Sequence, residues 1–84
     1  MVHHNMLYET FVLACLWGKP TENQYCAEFM DTRGPYSSRQ ACKERAIEIA
    51  DNLYKYEPEY QARTHRCEEF KSIEEYEHRG LLYR

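Results

Sequence analysis

The sequence predicts a small α+β domain, in which a β-β-α-β chain order builds a small antiparallel sheet with one main amphipathic helix over 37–57 and a short C-terminal helix. Two apolar segments that alternate around a turn, and one apolar stripe at helical spacing, indicate this class. With 84 residues and 43 % hydrophobic side chains, the chain can bury one core. We assign 1–84 to a single domain, with 1–6 as a flexible N-terminus and 71–84 as a C-terminal helical tail.

Two strands are predicted at the start of the chain. Residues 7–16 (LYETFVLACL) are rich in aromatic and β-branched types, which favour strands. Residues 18–23 contain Gly, Pro and Asn and predict a turn, and residues 25–30 alternate again. One face of the first strand is expected to carry Phe11, Leu13 and Cys15.

The hairpin geometry brings two cysteines together. If the turn is centred between Pro20 and Thr21, Cys15 lies opposite Cys26 on the neighbouring strand. Cross-strand cysteines are close enough to form a disulfide when they occupy a non-hydrogen-bonded pair.

The main helix is predicted from its apolar stripe. Ser37 followed by Gln40 has the form of a capping box, which indicates a helix start. Pro58 ends the helix near Tyr56, because proline lacks an N–H donor and disfavours helical geometry in the residue before it. The apolar stripe comprises Cys42, Ala46, Ile49, Leu53 and Tyr56. The side chains expected on the solvent side are Lys43, Glu44, Arg45, Glu48, Asp51 and Lys55.

Residues 60–67 predict a third strand with an irregularity. Its alternation places Arg63 and Cys67 on one face, so a bulge or twist must separate them if Cys67 reaches the core. In the tail, Ser72 with Glu75 resembles a second capping box, and Gly80 suits a helix end.

Three states of the four cysteines are consistent with the sequence: two disulfides (Cys15–Cys26 and Cys42–Cys67), a zinc site, or buried free thiols. No Cys-x-x-Cys pair is present, which argues against zinc. A Cys42–Cys67 bridge would clamp the helix start to the last strand. An even cysteine count in a short chain favours disulfides, whereas the lack of a recognisable signal peptide favours reduced thiols, so both remain open.

The chain carries a skeleton of cysteines and turn residues: Cys15, Pro20, Cys26, Gly34-Pro35-Tyr36-Ser37, Cys42 and Cys67. Over residues 11–68 this skeleton resembles a group of small four-cysteine proteins of tailed phages and bacteria. The resemblance implies a hairpin, a helix and a third strand, often stapled by disulfides, with no established activity. Many members of that group look exported.

No enzyme is expected. His65 near Cys67 is a nucleophile–base combination, but nothing in the sequence indicates an oxyanion hole or a cleft. Further metal donors are Glu74 with His78, and His3 with His4, which are common on surfaces without a metal. We therefore expect no catalytic residue, no metal and no cofactor.

Eight tyrosines and one tryptophan are the most unusual feature of the composition. Both residue types are enriched at protein interfaces, although tyrosines also cover thin cores with their hydroxyls in water. The candidate interaction surface comprises Tyr36, Tyr54, Tyr60, Tyr76, Tyr83, Leu81 and Leu82. The net charge of −3 and the lack of a basic cluster argue against nucleic acid, and no apolar stretch is long enough to predict membrane insertion.

The sequence thus predicts a non-enzymatic, phage-encoded interaction module that binds a host or viral protein, in the cytoplasm of a host cell or in a virion. The alternative is a structural or accessory part of a virion or other assembly, in which Leu81, Leu82 and Tyr83 dock on a neighbouring subunit. A cysteine-dependent redox role ranks third. Self-association is left open.

Overall fold

The computed structural model describes residues 6–71 and has the predicted order of two strands, a helix and a third strand. The strands form one antiparallel sheet in the order β2-β1-β3. The predicted C-terminal helix, and all but the last residue of the predicted N-terminal segment, lie outside the described residues. The element bounds are β1 Leu7–Leu16, β2 Cys26–Met30, α1 Arg39–Tyr56 and β3 Tyr60–Phe70.

The β1–β2 hairpin has the predicted register. The Leu16 N–H donates to the Tyr25 carbonyl at 2.9 Å, which makes the adjacent Cys15 and Cys26 a non-hydrogen-bonded pair. The two sulfur atoms are bonded to each other. The first predicted disulfide is therefore present, and it joins the two strands next to their turn.

Helix α1 begins slightly later than predicted. Its N-cap is Ser38, whose side-chain oxygen accepts a hydrogen bond from the Ala41 N–H at 3.0 Å. The predicted capping box of Ser37 with Gln40 is wrong, because Ser38 has the extended backbone that a cap requires and Gln40 donates to Glu44 instead. The helix ends at Tyr56, one residue before the predicted bound of 57 and close to the end expected from Pro58.

Most of the predicted helical stripe is buried, with one exception, and one residue predicted on the solvent side is buried. Cys42, Ala46, Ile49 and Leu53 are buried, but Tyr56 is 74 % exposed. Arg45, predicted on the solvent side, is buried instead. This position follows from helical geometry, since Arg45 lies three residues after Cys42 and four before Ile49 and so shares their face.

The core lies between α1 and the sheet. The helix packs against β1 and β3, and alternate residues of β1 face it. The buried cluster comprises Val12, Ala14, Ala46, Ile49 and Leu53, flanked by the partly buried Phe29, Tyr60 and Ala62. Phe11, Leu13 and Cys15 alternate with these residues and therefore share the opposite face of β1, as predicted.

A β-bulge interrupts the pairing of β1 with β3. The register shifts between Leu13 and Ala14, where Arg63 has no partner on β1. The extra residue reverses the alternation of side chains along β3. Ala62 and Cys67 therefore lie on the same face of the sheet although five positions separate them. The predicted irregularity between Arg63 and Cys67 is thus present.

The bulge makes the second disulfide possible. Cys67 pairs with Thr10 of β1 on the helix side of the sheet, and its sulfur is bonded to Cys42 in the second turn of α1. The Thr10 hydroxyl also lies 2.9 Å from the Cys42 sulfur and 3.3 Å from its carbonyl oxygen. The helix start is therefore held to both β1 and β3.

Both disulfides are expected to contribute to stability. Replacing Cys42 and Cys67 by Ala lowers the free energy of unfolding by about 3–4 kcal/mol, and replacing Cys15 and Cys26 by about 3 kcal/mol, since the sequence separations are 25 and 11 residues. Urea unfolding of the parent chain and both double variants measures the difference. Alkylation of the denatured, unreduced parent chain should label no thiol; labelling of all four would contradict the pairing.

Candidate functional site

A groove lies between α1 and β2. It exists because the helix packs on β1 and β3 and leaves the helix-facing side of β2 partly uncovered. Its volume is about 310 Å³. Apolar side chains line most of it: Phe29, Ile49, Leu53 and Tyr56. One end is polar and contains Asp31 and Arg45. We call this feature the α1–β2 groove.

The polar end of the groove is built on a buried ion pair. The Asp31 N–H donates to the Thr10 carbonyl at 3.1 Å, which extends the β1–β2 pairing by one residue and carries Asp31 beneath the helix. There Arg45 Nε donates to Asp31 Oδ1 at 2.9 Å. Asp31 is 1 % exposed and Arg45 is 9 % exposed, so both charges are largely removed from water.

Neighbouring groups complete this ion pair. The Arg33 N–H donates to Asp31 Oδ1 at 3.0 Å, and Arg45 Nη1 donates to Glu48 Oε1 at 3.1 Å. The Tyr36 side chain also interacts with the Asp31 carboxylate. The Arg45–Asp31 hydrogen bond thus ties the turn that follows β2 to the first half of α1, and the other contacts hold its two groups in place.

These contacts determine how the groups titrate. Burial by itself would raise the pKa of Asp31, but hydrogen bonds from Tyr36, the Arg33 N–H and Arg45 bring the pKa below its usual value. Burial, together with the hydrogen bond and negative charge of Asp31, raises the pKa of Tyr36 to about 12. Asp31 is thus held ionised and Tyr36 protonated at neutral pH.

The geometry favours a structural role for this cluster. A carboxylate with a lowered pKa and several fixed donors is a poor general base near neutral pH. Arg45 donates to both Asp31 and Glu48, so its guanidinium is already engaged by two carboxylates of the fold. The cluster positions one end of the groove and leaves the apolar part as the surface available for binding.

The described part of the chain contains neither a free cysteine nor a cluster of metal-ligating side chains. Between residues 6 and 71 no cysteine is free, and no group of three or more His, Cys, Asp or Glu side chains is arranged to hold a metal. Cys67 is bonded to Cys42, so it offers no thiol to the predicted partner His65. His65 lines a smaller groove of about 170 Å³ between α1 and β3.

The tyrosines predicted as an interaction surface lie in different environments. Tyr54 is 74 % exposed on α1. Tyr36 and Tyr60 are partly buried, the first against Asp31 and the second against Phe29, whose ring centroid is 5.4 Å away. The remaining predicted members, Tyr76, Leu81, Leu82 and Tyr83, lie outside the described residues.

Sequence reasoning missed several exposed apolar residues. Tyr56 lies at the groove and is 74 % exposed, whereas Met30 is 37 % exposed on the face of the sheet opposite α1. Trp17 and Ile47 are also exposed. Helical periodicity could not identify Tyr56 as exposed, because this residue continues the buried stripe. Its side chain is exposed because the helix lies over β1 and β3.

Comparison with known proteins returned no match to a family model, to a curated protein or to a solved structure. The described part of the chain has no helix with the length and apolar character needed to cross a membrane.

Breaking the buried ion pair should destabilise the fold. Arg45→Met leaves the Asp31 carboxylate buried without its guanidinium, which lowers the free energy of unfolding by about 3–5 kcal/mol. The double variant Asp31→Leu with Arg45→Met should lose less, because no charge stays unpaired. Chemical denaturation of the single and double variants checks this expectation. An equal loss in both would show that packing, and not charge, dominates at this position.

The same cluster predicts two pH dependences. Because the folded-state pKa of Asp31 is lowered, its stabilisation is present above the unfolded pKa of about 4 and is lost as pH falls through the folded value. Because the pKa of Tyr36 is raised to about 12, its contribution is present below about pH 10 and is lost as pH rises toward 12. The free energy of unfolding, measured as a function of pH, should lose its acid dependence in Asp31→Asn and its alkaline dependence in Tyr36→Phe. Unchanged pH profiles would contradict these assignments.

Proposed function

We propose that this chain is a non-enzymatic protein-interaction module that binds a host or viral protein through the α1–β2 groove and the neighbouring surface of α1. The observation that carries the proposal is the pair of large, exposed aromatic side chains on α1, one of which lies at the groove. Tyr56 is 74 % exposed at the groove, and Tyr54 is equally exposed on the other side of α1.

Side chains of this kind are suited to protein binding. Tyrosine supplies a large contact area with only two rotatable side-chain bonds, so it loses little conformational entropy when it is buried by a partner. The helix that presents the tyrosines is held to β1 and β3 by the core and by the Cys42–Cys67 bridge, which favours a pre-organised surface.

The two disulfides also bear on where the module acts. Disulfides persist in oxidising surroundings and on virion surfaces, whereas the bacterial cytoplasm keeps thiols reduced. Of the two locations expected from the sequence, the virion is the one in which Cys15–Cys26 and Cys42–Cys67 would both endure. We infer a protein that meets its partner at a virion or another oxidising site.

Substitution of the exposed tyrosines tests the proposal. The immobilised, disulfide-intact chain should capture a protein partner from an extract of its source, and an excess of the soluble chain should compete for it. Replacing Tyr54 and Tyr56 together by Ser should weaken capture at least about tenfold, because two hot-spot aromatics contribute more than about 1.4 kcal/mol together. Quantitative mass spectrometry of the captured proteins provides the readout.

Lys55→Ser is the matched control, since Lys55 lies between the two tyrosines and is also exposed on the last turns of α1. It should retain the partner. Equal capture by the tyrosine variant and the control would overturn the proposed surface. Stoichiometric recovery of the chain with assembled particles, unaffected by the tyrosine variant, would instead favour the structural role in an assembly.

A further inference from the structure

Strand β2 has an open outer edge. The hydrogen bond from Leu16 to Tyr25 sets the phase of the β1–β2 ladder, so the N–H and C=O groups of Cys26, Glu28 and Met30 point away from β1. Within residues 6–71 no strand lies beyond β2 and these outward groups make no backbone hydrogen bond. The edge can therefore pair with an added strand.

An acidic residue, Glu28, lies at the centre of this edge. Glu28 is exposed, and both of its carboxylate oxygens accept hydrogen bonds from Arg66 at 3.2 Å, one from Nε and one from Nη2. Arg66 also pairs with Glu68.

The position of Glu28 discriminates among possible strands. If two copies of this chain paired over the whole of β2 in antiparallel fashion, Glu28 of one copy would lie opposite Glu28 of the other. Like charges directly across a strand pair are destabilising, whereas a Lys or Arg opposite Glu28 is favourable. The edge therefore favours a basic residue of a different chain over self-pairing.

The groove adds a second requirement. Neighbouring residues of a strand point to opposite faces, so the residues on either side of that basic residue would point toward the helix side of the sheet. There the α1–β2 groove presents Phe29, Ile49 and Leu53. An apolar residue before and after the basic one would bury these side chains.

We propose that the β2 edge binds an extended segment of a partner protein as a fourth strand, in which a Lys or Arg opposite Glu28 is flanked by apolar residues. This deepens the proposed function, because it names the chemistry of the partner that the α1–β2 groove accepts. Backbone hydrogen bonds supply attachment, and the charge and the groove supply selectivity.

A short blocked peptide with the core Ser-Val-Lys-Val-Ser, titrated into the isotopically labelled, disulfide-intact chain, tests the proposal by nuclear magnetic resonance. Binding should shift the amide signals of Cys26, Glu28 and Met30 and slow their hydrogen exchange. Methylation of the peptide's lysine backbone nitrogen should abolish binding. Replacement of that lysine by glutamate should weaken binding by about fivefold or more at low salt.

Charge reversal on the protein provides the complementary arm. Glu28→Lys should prefer the glutamate peptide over the lysine peptide, whereas the control Glu44→Lys, on the exposed side of α1, should leave the preference unchanged. Met30→Pro removes an outward N–H without removing a hydrogen bond to β1, and it should weaken both peptides.

Each other outcome overturns the inference. These outcomes are no binding at millimolar peptide, equal binding of both peptides, binding without protection of the three amides, or pairing of two copies detected by sedimentation. Loss of peptide binding with retained, tyrosine-dependent partner capture would refute the added strand alone. Loss of tyrosine-dependent capture with retained peptide binding would refute the proposed partner surface alone.

Discussion

The bulge at Arg63 is the constraint on which the rest of the structure depends. By shifting the register of β3 by one residue, it lets Ala62 pack under the helix and Cys67 reach Cys42 on the same face. Arg63 itself, which has no partner on β1, makes another contact, because its guanidinium donates a hydrogen bond to the Lys19 carbonyl at 2.8 Å. One interruption thus connects the hairpin turn, the core and the second disulfide, although a bulge alone costs hydrogen bonds.

The space beneath α1 is divided into an apolar and a polar part, and this division explains the groove. Small side chains at Ala14 and Ala62 let the second half of the helix pack closely over β1 and β3. The first half is fixed instead by the Asp31–Arg45 pair and the bond to Cys67. With the helix held in this position, β2 keeps an uncovered side. The binding surface follows from how a thin core is packed, without a dedicated loop.

Much of this fold could be predicted from the sequence, because its determinants are local or nearly so. Alternation specified the strands, turn residues centred the hairpin and so paired Cys15 with Cys26, and Pro58 set the helix end. The buried position of Arg45 could have been found from its place between Cys42 and Ile49, but its charge argued for solvent. Local sequence patterns could not identify the partner of Arg45. Asp31 lies in a turn and reaches the helix only through the pairing of β2 with β1. The groove was unpredictable for the same reason, since it depends on which strands the helix covers.

Glu28 connects the stability of the monomer with its choice of partner. An exposed edge strand invites pairing with any chain, and proteins limit this with short edges and with charge. Here β2 has only five residues and carries Glu28 at its centre. The residue that would face itself in a second copy, and so disfavour it, would also favour a cation on an added strand. Protection against self-association and selection of a basic strand are therefore one electrostatic effect at this edge, and neither can be removed by substitution without changing the other.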